Sequence, residues 1–171
     1  ASDVYKRQAV LYPCQELRAD SQVISRNRRG QSGLWGWAIS GDLPIVLLSI
    51  VSEESIDTVT TLIQAHRYWR LKGLEVDLVI MNNSPGGYQQ TLQNKIMDLI
   101  YAGSEANLVD KSGGIFVRNG EHLSAEDKQL LMSVACLYLD DRAGGINEQL
   151  NQRIHTTKIL ARPLIPHTTV R

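Results

Sequence analysis

The 171-residue chain is poor in the groups that most often carry chemistry. It has two cysteines, Cys14 and Cys136, far apart and outside any CxxC or metal-ligand spacing. They read as two buried or idle thiols in a reducing compartment. Its four histidines, His66, His122, His155 and His167, fall in separate segments, so no zinc site is expected. Aromatic residues make up only 6%. No apolar run approaches the roughly 18 residues that span a bilayer. The longest, Leu43 to Val51, is the length of a strand, and the opening residues do not read as a secretory signal. GxSxG, HExxH and Walker motifs are missing, as is any Ser/His/Asp set, which removes the hydrolase, metalloprotease and P-loop classes that such motifs mark.

Net charge is also zero, but it is unevenly placed. Residues 1–33 carry six Lys/Arg against three Asp/Glu, residues 34–150 eight against fifteen, and residues 151–171 four against none. A nucleic-acid-binding domain concentrates positive charge on its folded part. Here the positive charge lies at the two ends, so no nucleic-acid partner is expected. The opening "ASDVYKRQ" resembles translated library-adapter sequence, and "ARPLIPHTTVR" reads as linker. The expected division is therefore 1–8 non-native, 9–38 an N-terminal connecting segment, 39–150 one α/β module, and 151–171 linker.

A hydrophobic content of 43% supports a core in that module. Ile45 to Val51 is apolar almost throughout, the mark of a strand buried on both faces, with Pro44 at a tolerated position at its start. From Ser52 a helix is expected. Ser52 caps it, Glu53, Glu54 and Asp57 suit the positive end of its dipole, and Gly73 stops it. Ile56, Val59, Ile63, His66 and Arg70 form its stripe, widened by Leu62 and Trp69. Glu75 to Asn83 reads as a second strand, "SPGG" as a turn, and "YQQTLQNKIMDLIYAG" as a second helix. Gly113 to Gly120 reads as a third strand. "LSAEDKQLLMSVACLYLDD" reads as a third helix, with Ser124 and Asp127 in a capping-box arrangement and Leu130, Val134 and Leu137 on one face. Strand, helix, strand, helix, strand, helix predicts an α/β fold with a mainly parallel sheet in two or three layers, its second strand beside its first.

Several features invite a chemical reading. "ISGDLP" has the look of a functional turn at Ser40-Gly41-Asp42. A dinucleotide site needs glycines after the first strand, where this chain has "VSEES", whose carboxylates repel phosphate. "MNNSPGGYQQ" lies at the carboxyl end of a strand, where open α/β sheets bind ligands. Asn82, Asn83 and Gln89 offer neutral hydrogen-bonding groups there and Tyr88 a ring to stack on a sugar. The simpler reading is a turn made by Pro85-Gly86-Gly87 with Asn or Ser capping a helix. Asp140 and Asp141 are adjacent carboxylates of the kind that hold a cation in some glycosyltransferases, but such pairs follow strands, and these two are expected to end a helix. Trp35 and Trp37, two residues apart near a strand, are expected to share a face and serve the core or a domain contact.

Three phrases together resemble one region of the cyclic β-1,2-glucan synthases, very large bacterial inner-membrane proteins. They are "RNRRGQSGLWGWAISGDLPIVLLSI", "LIQAHRYWRLKGLEVDLVIMN" and "GIFVRNGEHLSAEDKQLLMSVACLYLDDRAGGINEQL". The match runs from about Val10 to Leu150. The resemblance implies a region associated with glycosyltransferase family 36 and glycoside phosphorylase, lying before the C-terminal phosphorylase domain. It implies a parent that makes cyclic glucan from UDP-glucose on the cytoplasmic side of the membrane. None of the matching phrases is a catalytic motif, so no catalytic, cofactor or metal residue is carried over. The expected role is a non-catalytic inter-domain module, with neighbouring domains of the same chain and β-glucan as partners, the latter through Asn82, Asn83, Tyr88 and Gln89. No cofactor and no direct membrane insertion are expected of this segment. A stand-alone α/β nucleotide- or sugar-binding enzyme domain is the alternative.

Overall fold

The computed structural model describes residues 18–151. The opening octapeptide, Cys14, His155, His167 and all but the first residue of the expected linker lie outside the described residues. Continuous apolar runs became strands because helices cover both faces of the sheet. The strands are β1 (Ile45–Ile50), β2 (Asp77–Asn82), β3 (Ile115–Asn119) and β4 (Leu137–Asp140). The helices are α1 (Ser21–Arg26), α2 (Ile56–Leu71), α3 (Gln89–Ala102) and α4 (Ala125–Val134), with residues 146–151 also helical. Short 3-10 turns at Gln31–Trp37, Glu53–Ser55 and Gly86–Tyr88 lead into β1, α2 and α3 respectively.

The four strands form one sheet in the order β3-β2-β1-β4, with every pair parallel. Alternation along the strands sorts the core into two. Val46, Leu48, Ile50, Leu78 and Ile80 pack with α2 and α3 on one face. Ile45, Leu47, Val79 and Met81 pack with α4 and Leu34 on the other. This is the three-layer form of the expected α/β fold. The chain runs β1 to β2 to β3 in one direction, then crosses back to β4 on the far side of β1, which places α4 opposite α2 and α3. Each fully buried Leu or Ile side chain contributes about 1.5–3 kcal/mol before entropy is counted.

Two local signals fixed the helix ends as expected. The Ser52 hydroxyl accepts from the Glu54 amide at 3.2 Å, and Gly73 adopts the left-handed conformation, φ 76°, just after α2. At α4 the Ser124 hydroxyl accepts from the Asp127 amide at 3.1 Å and donates to the Asp127 carboxylate at 2.8 Å.

Two expectations are corrected. The third helix stops at Val134, and Leu137–Asp140 is a fourth strand that pairs with β1 through Val46 to Ser49. Ala135 turns to extended geometry (φ −60°, ψ 128°), and the Cys136 amide donates to the Ile45 carbonyl at 2.9 Å, so unpaired backbone on β1 draws this segment out of the helix. Leu137 therefore belongs to the sheet, and Val134 is 37% exposed. Secondly, Trp35 and Trp37 do not share a face. They sit in a 3-10 turn of about three residues per turn, so two positions place them on different sides. Trp35 is 65% exposed, while Trp37 packs against the second core. Arg118 holds this turn to the sheet by donating to the Trp37 carbonyl from Nε (3.1 Å) and Nη2 (2.7 Å).

Candidate functional site

In an open parallel sheet, ligands bind outside the carboxyl ends of the strands, where the strand order reverses. That point lies between β1 and β4, and Asn82 to Gln89 lies next along the same edge. Asp140 and Asp141 stand at the end of β4, after a strand as cation-binding pairs do, so the helical placement expected of them is overturned. The Asp140 carboxylate and one oxygen of Asp141 are already engaged, and in different work, while Asp141 Oδ1 is buried without a hydrogen-bond partner among the described residues. Asp140 is held by Arg142, whose Nε and Nη2 donate to it at 3.0 and 2.7 Å. That guanidinium holds the Asp140 carboxyl below the usual carboxylate range. The Tyr138 hydroxyl donates to Asp140 at 3.3 Å. Burial, then the Asp140 charge, pushes the Tyr138 phenol up to about 12. Asp141 crosses to β1, where its Oδ2 accepts from the amides of Val51 (2.9 Å) and Ser52 (3.0 Å).

The Asp141 contact also bears on the nucleotide reading. The amides just after β1 are those a pyrophosphate would use, and an aspartate of this chain occupies two of them. Glu53, on the next 3-10 turn, is ion-paired with Lys95.

Asn82 is wholly buried, and its carboxamide is engaged within the chain. Its Nδ2 donates to the Gln89 carbonyl (3.0 Å) and the Gln93 side chain (3.4 Å), and its Oδ1 accepts from the Ser84 amide (3.1 Å). Asn83 is partly buried and donates to the Ser49 hydroxyl at 2.8 Å. Gln89, also partly buried, donates to the Asn119 carboxamide oxygen, which in turn accepts from the Glu121 amide at 2.8 Å. Tyr88 is 71% exposed. The structure thus links Asn82, Gln89 and Asn119 in one network, ties Asn83 separately to Ser49 on β1, and leaves the Tyr88 ring exposed to solvent at this edge. Asn119 and Ser49 were not singled out from the sequence, and Asp141 was weighed only as half of a cation-holding pair. Polar residues at or next to the ends of the strands, in "LLSI" and "VRN", were the available signal.

Ser40-Gly41-Asp42 lies at the opposite, amino end of the sheet. Gly41 has φ 77°, Gln31 Nε2 donates to the Ser40 carbonyl (2.8 Å) and Asp42 (2.9 Å), and Trp35 Nε1 donates to the Ser40 carbonyl (3.3 Å). It is a folded entry turn, distant from the edge where α/β sheets work.

That amino end also buries ionisable groups. Asp77, at the start of β2, accepts from the Gly113 amide at 2.7 Å, and burial raises its carboxyl above the usual range. His66 donates from Nε2 to the Val76 carbonyl at 2.8 Å, and burial lowers its imidazole. Glu105, fully buried, pairs with Arg67 at 2.7 Å, which holds its carboxyl low. No grouping of three or more metal-ligating side chains occurs among the described residues.

Cyclic β-(1,2)-glucan synthase NdvB of Rhizobium meliloti strain 1021 is 30% identical to this chain over 145 residues, covering 82% of the chain. The chain is a distant homologue of that protein. It spans 5% of that relative's length. No family model matches the chain. Among the described residues no helix is long and apolar enough to cross a membrane.

Proposed function

We propose that this chain is a non-catalytic inter-domain α/β module of a cyclic β-1,2-glucan synthase, in which it positions neighbouring domains. The observation that carries the reading is the similarity to NdvB along most of the chain, confined to a small part of that long relative. The geometry agrees with it: at the carboxyl edge, Asn82, Asn119, Asp140 and Asp141 all bond within the chain. The exposed Trp35, Leu71 and Tyr101 (65%, 76% and 57%) are large apolar groups for neighbouring domains to cover. The parent makes cyclic glucan from UDP-glucose, carries glycoside phosphorylase activity and is anchored in the inner membrane, with this module on its cytoplasmic side.

Within that role, glucan contacts the carboxyl edge through the ring of Tyr88, with the outer faces of Asn83 and Gln89 beside it in sequence. Asn82 serves by holding the loop, since its own groups are engaged. Grafting this segment into NdvB in place of its counterpart tests the role. The graft should keep glucan synthesis, and it should keep it when Tyr88, Asn83 and Ser49 are each changed to alanine. A loss of synthesis of about 100-fold in any of these variants, with protein levels unchanged, would assign catalysis to this edge instead. NMR titration of the chain with β-1,2-glucan tests the contact, and a spectrum with no shifts from Asn82 to Gln89 would remove it.

A further inference from the structure

The basic stretch "RNRR" is absorbed neither by the fold nor by the glucan reading. It forms one wall of a groove of about 420 Å³, lined by Arg26, Asn27, Arg28, Arg29, Glu126 and Gln129. That volume falls within the range of small-ligand clefts. The three arginines have separate circumstances. Arg29 is anchored to α4, with Nε donating to Glu126 at 2.9 Å and Nη1 paired with Asp127. Arg26 and Arg28 are exposed and have no hydrogen-bond or ion-pair partner among the described residues. Asn27 sits between them, and its side chain accepts from the Arg29 amide (3.2 Å) and donates to the Arg29 carbonyl (2.9 Å). The loop is therefore pinned on both sides of Arg28, whose free guanidinium stands beside a concave surface, two residues from that of Arg26 at the end of α1.

An unpaired guanidinium offers five N–H donors in a planar fork, which matches the oxygens of a phosphate or carboxylate. Two forks held two residues apart, at the end of α1 and on the pinned loop after it, reduce the ordering cost of binding. Arg29 shares its one charge between Glu126, the one acidic residue of the lining, and Asp127, and Arg26 and Arg28 leave the groove with net positive charge. None of the lining residues is aromatic, so nothing there stacks a base.

We propose that this groove is an oxyanion site for a small ligand bearing a phosphate or carboxylate, read by Arg26 and Arg28 with Arg29 as the anchor of the loop. The reading stands apart from the glucan contact, which lies on a different edge. The test is a titration of the full chain with inorganic phosphate, with succinate and with sodium chloride at matched ionic strength, following the arginine Nε–H and loop amide resonances by NMR. Saturable shifts at Arg26 and Arg28 with phosphate or succinate, and not with chloride, are expected, and the anion that saturates first identifies the chemistry. Arg28→Ala should weaken that binding about tenfold or more, and Arg28→Lys should recover only part of it, since the charge returns without the fork. Both side chains are exposed, so the urea midpoint of these variants should equal that of the parent. Equal shifts with chloride, no saturation with either oxyanion, or full affinity in Arg28→Ala would overturn the proposal.

Discussion

Asp141→Ala should destabilise the chain by about 2–3 kcal/mol, because Asp141 works as a latch between β4 and β1. One oxygen receives two backbone amides, Val51 at 2.9 Å and Ser52 at 3.0 Å. Hydrogen bonds to a charged group are worth about 1.5–3 kcal/mol each, and leaving a buried donor without a partner costs about 1–3 kcal/mol. Both amides belong to partly buried residues, so water recovers some of that loss, which places the total at or just below the low end of the summed range of about 3–6 kcal/mol. Asp141→Asn keeps an accepting oxygen and gives up only the charge, so it should cost about 1 kcal/mol. The assay is urea unfolding of parent, Asp141→Ala and Asp141→Asn at pH 7, with midpoint and slope both fitted. The expected result is an unchanged slope and midpoints in the order parent, Asn, Ala. If the alanine variant matched the parent, or the asparagine variant were as damaged as the alanine one, the latch would be wrong.

Further predictions rest on other contacts. A Cβ at Gly114 would overlap the Leu108 carbonyl and lie 2.7 Å from that of Lys111, so Gly114→Ala should lower stability by about 3 kcal/mol or prevent folding, read from the thermal midpoint. Burial lowers the folded pKa of His66, so its contribution to stability is complete above its unfolded value near 6.5 and declines as pH falls from there towards the folded pKa. The urea midpoint should fall between pH 7.5 and 5 in the parent and fall less in His66→Gln; equal slopes would contradict this. Burial pushes the Cys136 thiol up to about 11, so in a Cys14→Ser background it should react with iodoacetamide at pH 8 far more slowly than free cysteine, and equal rates would refute its placement.

Much of the fold was legible because local and long-range signals agreed. The Ser52 cap and the acidic residues of the 3-10 turn that leads into α2, the apolar stripe of α2 and Gly73 after it all pointed one way. β1 was legible from its short apolar run, broken only by Ser49, which at that length suits a strand covered on both faces. β4 was not. Leu130, Val134 and Leu137 repeat at helical spacing, and Ala135-Cys136 has no glycine or proline to mark the break. What ends the helix is the free edge of β1, a partner that adjacent residues do not reveal.

The candidate site divides in the same way. Its position at the carboxyl edge followed from the order of elements, and Tyr88 is exposed there. Whether a polar side chain stays free depends on what folding brings to it. Gln89 and Gln93 reach Asn82 only because α3 lies across the end of β2, and Asp141 reaches Val51 only because β4 pairs with β1. The placement of Asp140 and Asp141 at the end of a helix failed with the helix itself. Their separate engagements are what distinguish them from a cation-holding pair.

The central claim is that this module positions domains and performs no chemistry of its own. Incubation of the purified chain with UDP-glucose, and separately with β-1,2-glucan and inorganic phosphate, tests it most directly when products are followed by mass spectrometry. No glucosyl transfer and no glucose 1-phosphate are predicted. Product formation that disappears in Asp140→Asn, with the chain still folded, would contradict the claim and place catalysis at the carboxyl edge of the sheet.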